Sequence, residues 1–257
     1  MKYQNMLFTV TGGLSGLGAG TVEHLARLGA HVAVVDLNLP GELQDTDKIR
    51  HYKADVSNQK DVASVVASIV EWANEANLRI EGVITCAGYL GPAKILSKSN
   101  KPMSLDNFKK VIDVGVIGTV DIIRQLLPRM VAQTADADGQ RGVLITVSSA
   151  SAYDGQEGQV AYSASKGAIA SMMLPMARDL GSRGIRAVSI APGIFDTDMV
   201  AKMPKAAQES TKRGFEYPSR GGRPEEFAAL VETIVDNRMI NGTVIRIDGA
   251  SRMPARI

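Results

Sequence analysis

A single cysteine, Cys86, stands in 257 residues, so no intrachain disulfide can form and a reducing compartment is expected. Histidine is scarce as well. His24, His31 and His51 are scattered without an HExxH-like spacing, and no metal site is expected. No apolar run approaches the roughly 18 residues of a membrane span. The first one, Met6-Leu7-Phe8-Thr9-Val10, is too short for a signal-peptide core and leads straight into glycines. A dense basic stripe is missing too, and a formal net charge of +2 argues against a nucleic-acid partner. What remains is a chain with 45% hydrophobic and 22% charged residues, enough to bury a core. A soluble, cytoplasmic protein with no membrane partner is expected, with a mitochondrial location as the alternative.

Short apolar runs rich in β-branched residues recur from end to end: Met6–Thr11, His31–Asp36, 82–86, 142–148, 186–190 and 244–247. Such runs read as strands buried on both faces. Helical stretches alternate with them, among them 16–28, 61–74, 104–132 and 161–180. This alternation predicts one α/β domain over 1–257: a doubly wound, Rossmann-type parallel sheet with helices on both faces. Ligands bind such sheets beyond the strands' C-terminal ends, where the strand order reverses. The polar loop 91–102 carries Lys94, Lys98 and Lys101, and a mixed segment near 197–220 suits a substrate lid.

Thr11-Gly12-Gly13-Leu14-Ser15-Gly16-Leu17-Gly18 lies between the first strand and the first helix. Glycine allows a sharp turn and close approach to a pyrophosphate, and the helix N-terminus offers unpaired N–H groups. By itself such a turn is equally consistent with tight packing and no ligand. Asp36, ending the next strand about 20 residues on, adds an acid that can bond both ribose hydroxyls. Its charge repels a 2′-phosphate, and neither Leu14 nor Leu37-Asn38-Leu39 offers a basic partner, so NAD is expected over NADP. Asp55-Val56 and Cys86-Ala87-Gly88 follow later strands, where the flat ends of a dinucleotide pass close to backbone. Each is individually no better than packing, and Cys86 reads equally well as a small buried hydrophobe.

Of six tyrosines, only Tyr162 has a lysine four residues later, Lys166, on a helix of small residues where i and i+4 share a face. Ser149 lies at the end of the 142–148 strand. A free tyrosine has a pKa of about 10 and is a poor base at neutral pH. A nearby ammonium and the positive nicotinamide ring favour the phenolate. Tyr162 is then expected to take the proton of an alcohol as hydride leaves, or to return it, with Ser149 holding the substrate oxygen. Lys166 would also anchor the nicotinamide ribose.

The glycine turn, Asp36, Cys86-Ala87-Gly88, the Ser149, Tyr162 and Lys166 set, and Pro192-Gly193 together resemble the short-chain dehydrogenase/reductase family over the whole chain. Longer runs resemble a branch acting on 3-hydroxyacyl-CoA in fatty acid metabolism, among them Ala161-Tyr162-Ser163-Ala164-Ser165-Lys166-Gly167 and Asn241-Gly242-Thr243-Val244-Ile245-Arg246-Ile247-Asp248-Gly249-Ala250. The resemblance implies NAD contacts from Ser15, Leu17, Asp36, Asp55, Val56, Cys86, Tyr162, Lys166, Phe195 and Thr197, with Gly12, Gly16, Gly18, Ala87, Gly88 and Pro192 beside them. It implies Ser149 as substrate-binding partner, Tyr162 as proton donor or acceptor, and a homotetramer packed through the 104–132 and 161–180 helices. The expected activity is reversible oxidation of a secondary alcohol, that of a 3-hydroxyacyl-CoA, with NAD. The alternatives are a steroid or other lipid alcohol, and a non-catalytic NAD-binding scaffold or sensor. One departure motivates the last. Gly115 stands where the family has an asparagine that shapes a helix distortion serving the proton relay, and Gly115→Asn is expected to speed turnover.

Overall fold

The computed structural model describes residues 2–41, 43–197 and 214–255. Most of the expected lid near 197–220 lies outside the described residues. Seven parallel strands form one sheet in the order β3-β2-β1-β4-β5-β6-β7. They are β1 (Met6–Thr11), β2 (His31–Asp36), β3 (Ile49–Lys53), β4 (Arg79–Thr85), β5 (Gly142–Val147), β6 (Ile185–Pro192) and β7 (Thr243–Ile247). The chain runs outward from β1 to β3, then returns to the other side of β1 with β4. That reversal opens a crevice beyond the C-terminal ends of β1 and β4, where Thr11 pairs in register with Thr85.

Six of these strands were legible as apolar runs; β3 was not. Its Ile49-Arg50-His51-Tyr52-Lys53 run is polar because it is an edge strand, paired only with β2 and partly solvated along its length. Arg79 and Glu81 likewise start β4 before the run 82–86 expected from hydropathy. Glu81 is buried, paired with Arg79 Nε at 2.7 Å and accepting from Gln140 Nε2 at 3.0 Å. Burying such a charge is tolerable only when it is paired and hydrogen-bonded.

The core is two apolar layers, one on each sheet face. Helices α2 (Gln59–Glu75), α4 (Gly118–Val131) and α5 (Val160–Gly181) place Ile69, Trp72, Ile122, Leu126, Met130 and Ala177 against one face. Helices α1 (Gly16–Arg27) and α6 (Pro224–Asp236) place Leu25, Phe227, Val231 and Ile234 against the other. Burying one such large side chain stabilises the fold by roughly 1.5–3 kcal/mol relative to leaving it exposed. No helix among the described residues is long and apolar enough to cross a membrane.

The continuous helix expected over 104–132 is interrupted. Ser104 caps α3 (Leu105–Ile112) by accepting from Asn107 N, and a single wide π-turn, Asp113–Ile117, joins α3 to α4. Single π-turns inside helices are frequent at functional sites.

Candidate active site

The glycine turn leaves β1 at the crevice and enters α1. Gly12 has φ +65°, a left-handed conformation that glycine adopts at no steric cost, and a Cβ there would lie 2.9 Å from the Ala87 nitrogen. A Cβ on Gly18 would lie 2.1 Å from the Gly12 carbonyl. The turn is thus folded against Cys86-Ala87-Gly88, which follow β4, and against the first turn of its own helix. Ser15 precedes α1 without making a side-chain capping bond, so the first-turn N–H groups have no side-chain partner from that residue. Asp36 ends β2 facing this turn: its Oδ2 accepts from Leu14 N at 3.2 Å and its Oδ1 from Asn38 N at 3.4 Å.

The other expected residues reach the same rim with less uniform exposure. Ala54 N donates to the Asp36 carbonyl, bringing Asp55 and Val56 beside the end of β2. Asp55 spends Oδ1 on Ser57 N and Oγ, at 2.9 and 2.6 Å. Pro192 ends β6. Phe195 is buried with its ring edge-on to Phe227, 6.2 Å between centroids, so its side chain belongs to the core. Thr197 approaches Gly16 closely, its Cγ2 being 3.1 Å from where a Cβ would stand there. Burial pushes the Cys86 thiol up to about 12, with Lys166 opposing it, so this sulfur stays protonated and unreactive near neutral pH.

Ser149, Tyr162 and Lys166 meet at the ends of β5 and α5. Ser149 precedes a short 3₁₀ turn, Ala150–Ala152, and its Oγ accepts from Ser151 N at 3.0 Å. The Ser149 hydroxyl lies near enough to the Tyr162 phenol to favour its ionised form. Lys166 is buried; its Nζ donates to the Val147 carbonyl at 2.7 Å and lies 5.7 Å from the Tyr162 ring centroid. Neighbouring Ser148 donates its hydroxyl to the Lys166 carbonyl at 2.7 Å, tying α5 to β5. Burial lowers Lys166 from its ordinary 10.5 to about 8. Burial also holds Tyr162 above its ordinary value, while Ser149 pulls it down. Burial outweighs the pull of Ser149 on Tyr162, and the expected lowering by Lys166 does not reverse it.

Gly115 sits within the π-turn, so the helix distortion is present without an asparagine. Its carbonyl accepts from Thr119 Oγ1 at 3.0 Å, a partner that no sequence motif announced. The reason for glycine is visible across the interface with α5. A Cβ on Gly115 would stand 2.2 Å from Ser165 Oγ. Three residues on, a Cβ on Gly118 would stand 2.8 Å from the Val56 carbonyl. An asparagine at 115 would have to share this space with the Ser165 hydroxyl, which stands where its side chain would begin.

A family model described as short chain dehydrogenase matches residues 7–208. The chain is 40% identical to 3-hydroxyacyl-CoA dehydrogenase type-2 of Drosophila melanogaster, covering 97% of this chain and 98% of that protein. To the Homo sapiens protein of the same name it is 39% identical, covering 97% and 96%. The crystal structure of 3-hydroxyacyl-CoA dehydrogenase type-2 from Mycobacterium avium superimposes with a TM-score of 0.88 at 29% identity, covering 98% of this chain and 97% of that one. With a seven-stranded parallel sheet, a glycine turn faced by Asp36, and Ser149 close to Tyr162 beside Lys166, the chain belongs to the short-chain dehydrogenase family of oxidoreductases.

Proposed function

We propose that this protein is an NAD-dependent dehydrogenase that reversibly oxidises a secondary alcohol, with 3-hydroxyacyl-CoA as its substrate class. One observation carries the reading: buried Ser149 lies close to Tyr162 beside buried Lys166, at the C-terminal end of the parallel strands where the glycine turn faces Asp36. The dinucleotide fits the residues present. Gly12 and Gly18 keep the turn free of side chains, and the start of α1 carries no side-chain cap where a pyrophosphate would bind. Ser15, Gly16 and Leu17 would hold the phosphates and Asp36 the adenosine ribose. Asp55 and Val56 would lie at the adenine, Cys86, Ala87 and Gly88 along the ribose, and Pro192, Phe195 and Thr197 at the nicotinamide end. The Asp36 carboxylate disfavours a 2′-phosphate, and its contact with Leu14 N places that charge at the turn itself.

When bound, NAD+ supplies the hydride acceptor and a positively charged ring. Ser149 and Tyr162 together hold the substrate oxygen. Tyr162 accepts the hydroxyl proton in oxidation and returns it in reduction, and Lys166 anchors the ribose. Because burial holds Tyr162 above its ordinary range, the phenol is protonated at neutral pH and ready for reduction, while oxidation gains as pH rises.

The acyl-CoA assignment rests on the relatives' names and on exposed Lys98 and Lys101 in the loop after β4, suited to the coenzyme's phosphates. Lys94 of that loop is committed to Glu157 at 2.6 Å. A homotetramer is supported by exposed apolar side chains on the two long helical stretches, Leu105, Ile117 and Leu174. The test is the absorbance of NADH formed from NAD+ across 3-hydroxyacyl-CoA esters, steroid alcohols and simple secondary alcohols. Turnover confined to CoA-free alcohols would replace the substrate class, and tight NAD binding without any turnover would favour the scaffold reading.

A further inference from the structure

The segment after β7 is fastened along its length to the turn that carries Ser149. Glu157 N donates to the Ala255 carbonyl at 3.1 Å, Gln156 Nε2 to the Pro254 carbonyl at 3.0 Å, and Ser151 Oγ contacts Met253 Sδ at 3.5 Å. Gln156 and Ser151 are both buried. At the base of this strap one side chain locks both parts. Arg246, the penultimate residue of β7, pairs with Asp154 on the turn and with Asp248 at the root of the strap, the latter at 2.7 Å. Its guanidinium also lies over the Tyr153 ring, 5.4 Å from the centroid. Asp154 and Asp248 are largely covered, so their attraction to Arg246 is screened less than that of an exposed pair. A planar guanidinium can serve two carboxylates at once, which an ammonium does poorly.

The strap reaches the candidate catalytic group through one residue. Ser151, touched by Met253, donates its backbone N–H to Ser149 Oγ at 3.0 Å. We propose that Arg246 is a positioning residue: by locking the 248–255 strap to the 150–157 turn it fixes the Ser151 N–H, and through it the direction in which the Ser149 hydroxyl meets the substrate oxygen. On the far side, Gly158 is held by Ala93 N at 2.9 Å and Glu157 by Lys94, so the turn is gripped between the strap and the loop after β4. Among the described residues, the hydrogen bonds of the glycine turn and Asp36 run to other partners than this grip. The inference rests on the dehydrogenase reading only for its kinetic consequence; the grip itself can be read without any turnover.

The test compares Arg246→Gln, Arg246→Lys and Met253→Ala with the unmutated protein, by amide hydrogen exchange and by steady-state kinetics with NAD+ and 3-hydroxybutyryl-CoA. Arg246→Gln should speed exchange at Ser151 and Glu157 by about tenfold and leave the amides of the glycine turn unchanged, as local opening of one unit would. It should lower kcat by about tenfold while NAD affinity, read by fluorescence titration, stays within about twofold. Arg246→Lys should recover part of the loss. Met253→Ala, which leaves the ion pairs intact, should loosen Ser151 alone. In a Ser149→Ala background, Arg246→Gln should cause no further loss of residual turnover, since coupled residues are non-additive. Unchanged exchange at Ser151, faster exchange with unchanged kcat, or a full additional loss in the Ser149→Ala background would each overturn the proposal. If the unmutated protein turns over no secondary alcohol, the dehydrogenase reading fails by itself. Ser151 then still decides, slow exchange in Arg246→Gln overturning the grip and fast exchange sustaining it.

Discussion

The two ends of the crevice are built by different means. The cofactor end is backbone: a turn of eight consecutive residues packed so closely that side chains are excluded at Gly12 and Gly18, with one carboxylate, Asp36, brought in by the neighbouring strand. The candidate substrate end is side chain: two hydroxyls and an ammonium drawn from the end of β5 and the start of α5, where Ser165 also packs against Gly115, with Thr119 and Arg246 brought in from other elements. A backbone site tolerates almost no added atoms but depends little on distant segments. A side-chain site depends on every element that orients it. Substitutions at the first end should therefore damage binding, and those at the second should damage turnover.

The sharpest separation is expected at Tyr162. Tyr162→Phe removes one oxygen and little volume, and loss of a positioned proton donor costs about 10²–10⁴-fold in rate. NAD affinity should hold, and a fluorescence titration alongside the rate assay checks it. Turnover within a few-fold of the unmutated protein would mean that another group carries the proton.

The converse is expected at Gly18. An added methyl 2.1 Å from the Gly12 carbonyl must open the turn, so Gly18→Ala should weaken NAD binding and also destabilise the fold. Overpacking of this kind costs about 1–3 kcal/mol, visible as a lower unfolding midpoint. Unaltered cofactor affinity in a folded variant would break the comparison.

A smaller effect is expected at Asp36. Asp36→Ala should narrow the preference for NAD over NADP by about tenfold, the equivalent of one pKa unit of charge interaction removed. Calorimetric titration of both cofactors measures it, and tighter NADP binding by the unmutated protein would reject the role assigned to the carboxylate.

The smallest is expected at Gly115. Gly115→Asn must displace the Ser165 hydroxyl, so it should lower stability by about 1–3 kcal/mol and slow turnover modestly. Pairing it with Ser165→Ala, which removes the obstructing oxygen, should return much of both. If Gly115→Asn alone raises kcat without loss of stability, the π-turn has room that its packing does not suggest. The same substrate end should respond to pH with opposite signs in the two directions. Tyr162 is held above its ordinary value, so alcohol oxidation should rise as pH increases and ketone reduction should fall. Initial rates in both directions across pH 6 to about 10, the ordinary phenol range, test this.

The sequence by itself determined whatever is local or periodic. Alternating apolar runs dictated a doubly wound parallel sheet, the glycine turn and Asp36 marked the candidate cofactor end, and the Tyr162–Lys166 spacing put two groups on one helix face. These were legible because their meaning lies within about 20 residues, the reach of one strand–turn–helix unit. Tertiary structure decided the rest. Edge position, which hydropathy does not record, made a strand of Ile49–Lys53. The approach of α5 to the π-turn explains glycine at 115, because Ser165 lies 50 residues away in the chain and fills that space. Burial, a property of the whole packed shell, set the direction of the Tyr162 and Lys166 shifts. Arg246 meets Asp154 across 92 residues, and no spacing rule links them. Only the pairing of β7 at the far edge of the sheet brings Arg246 beside the turn that follows Ser149.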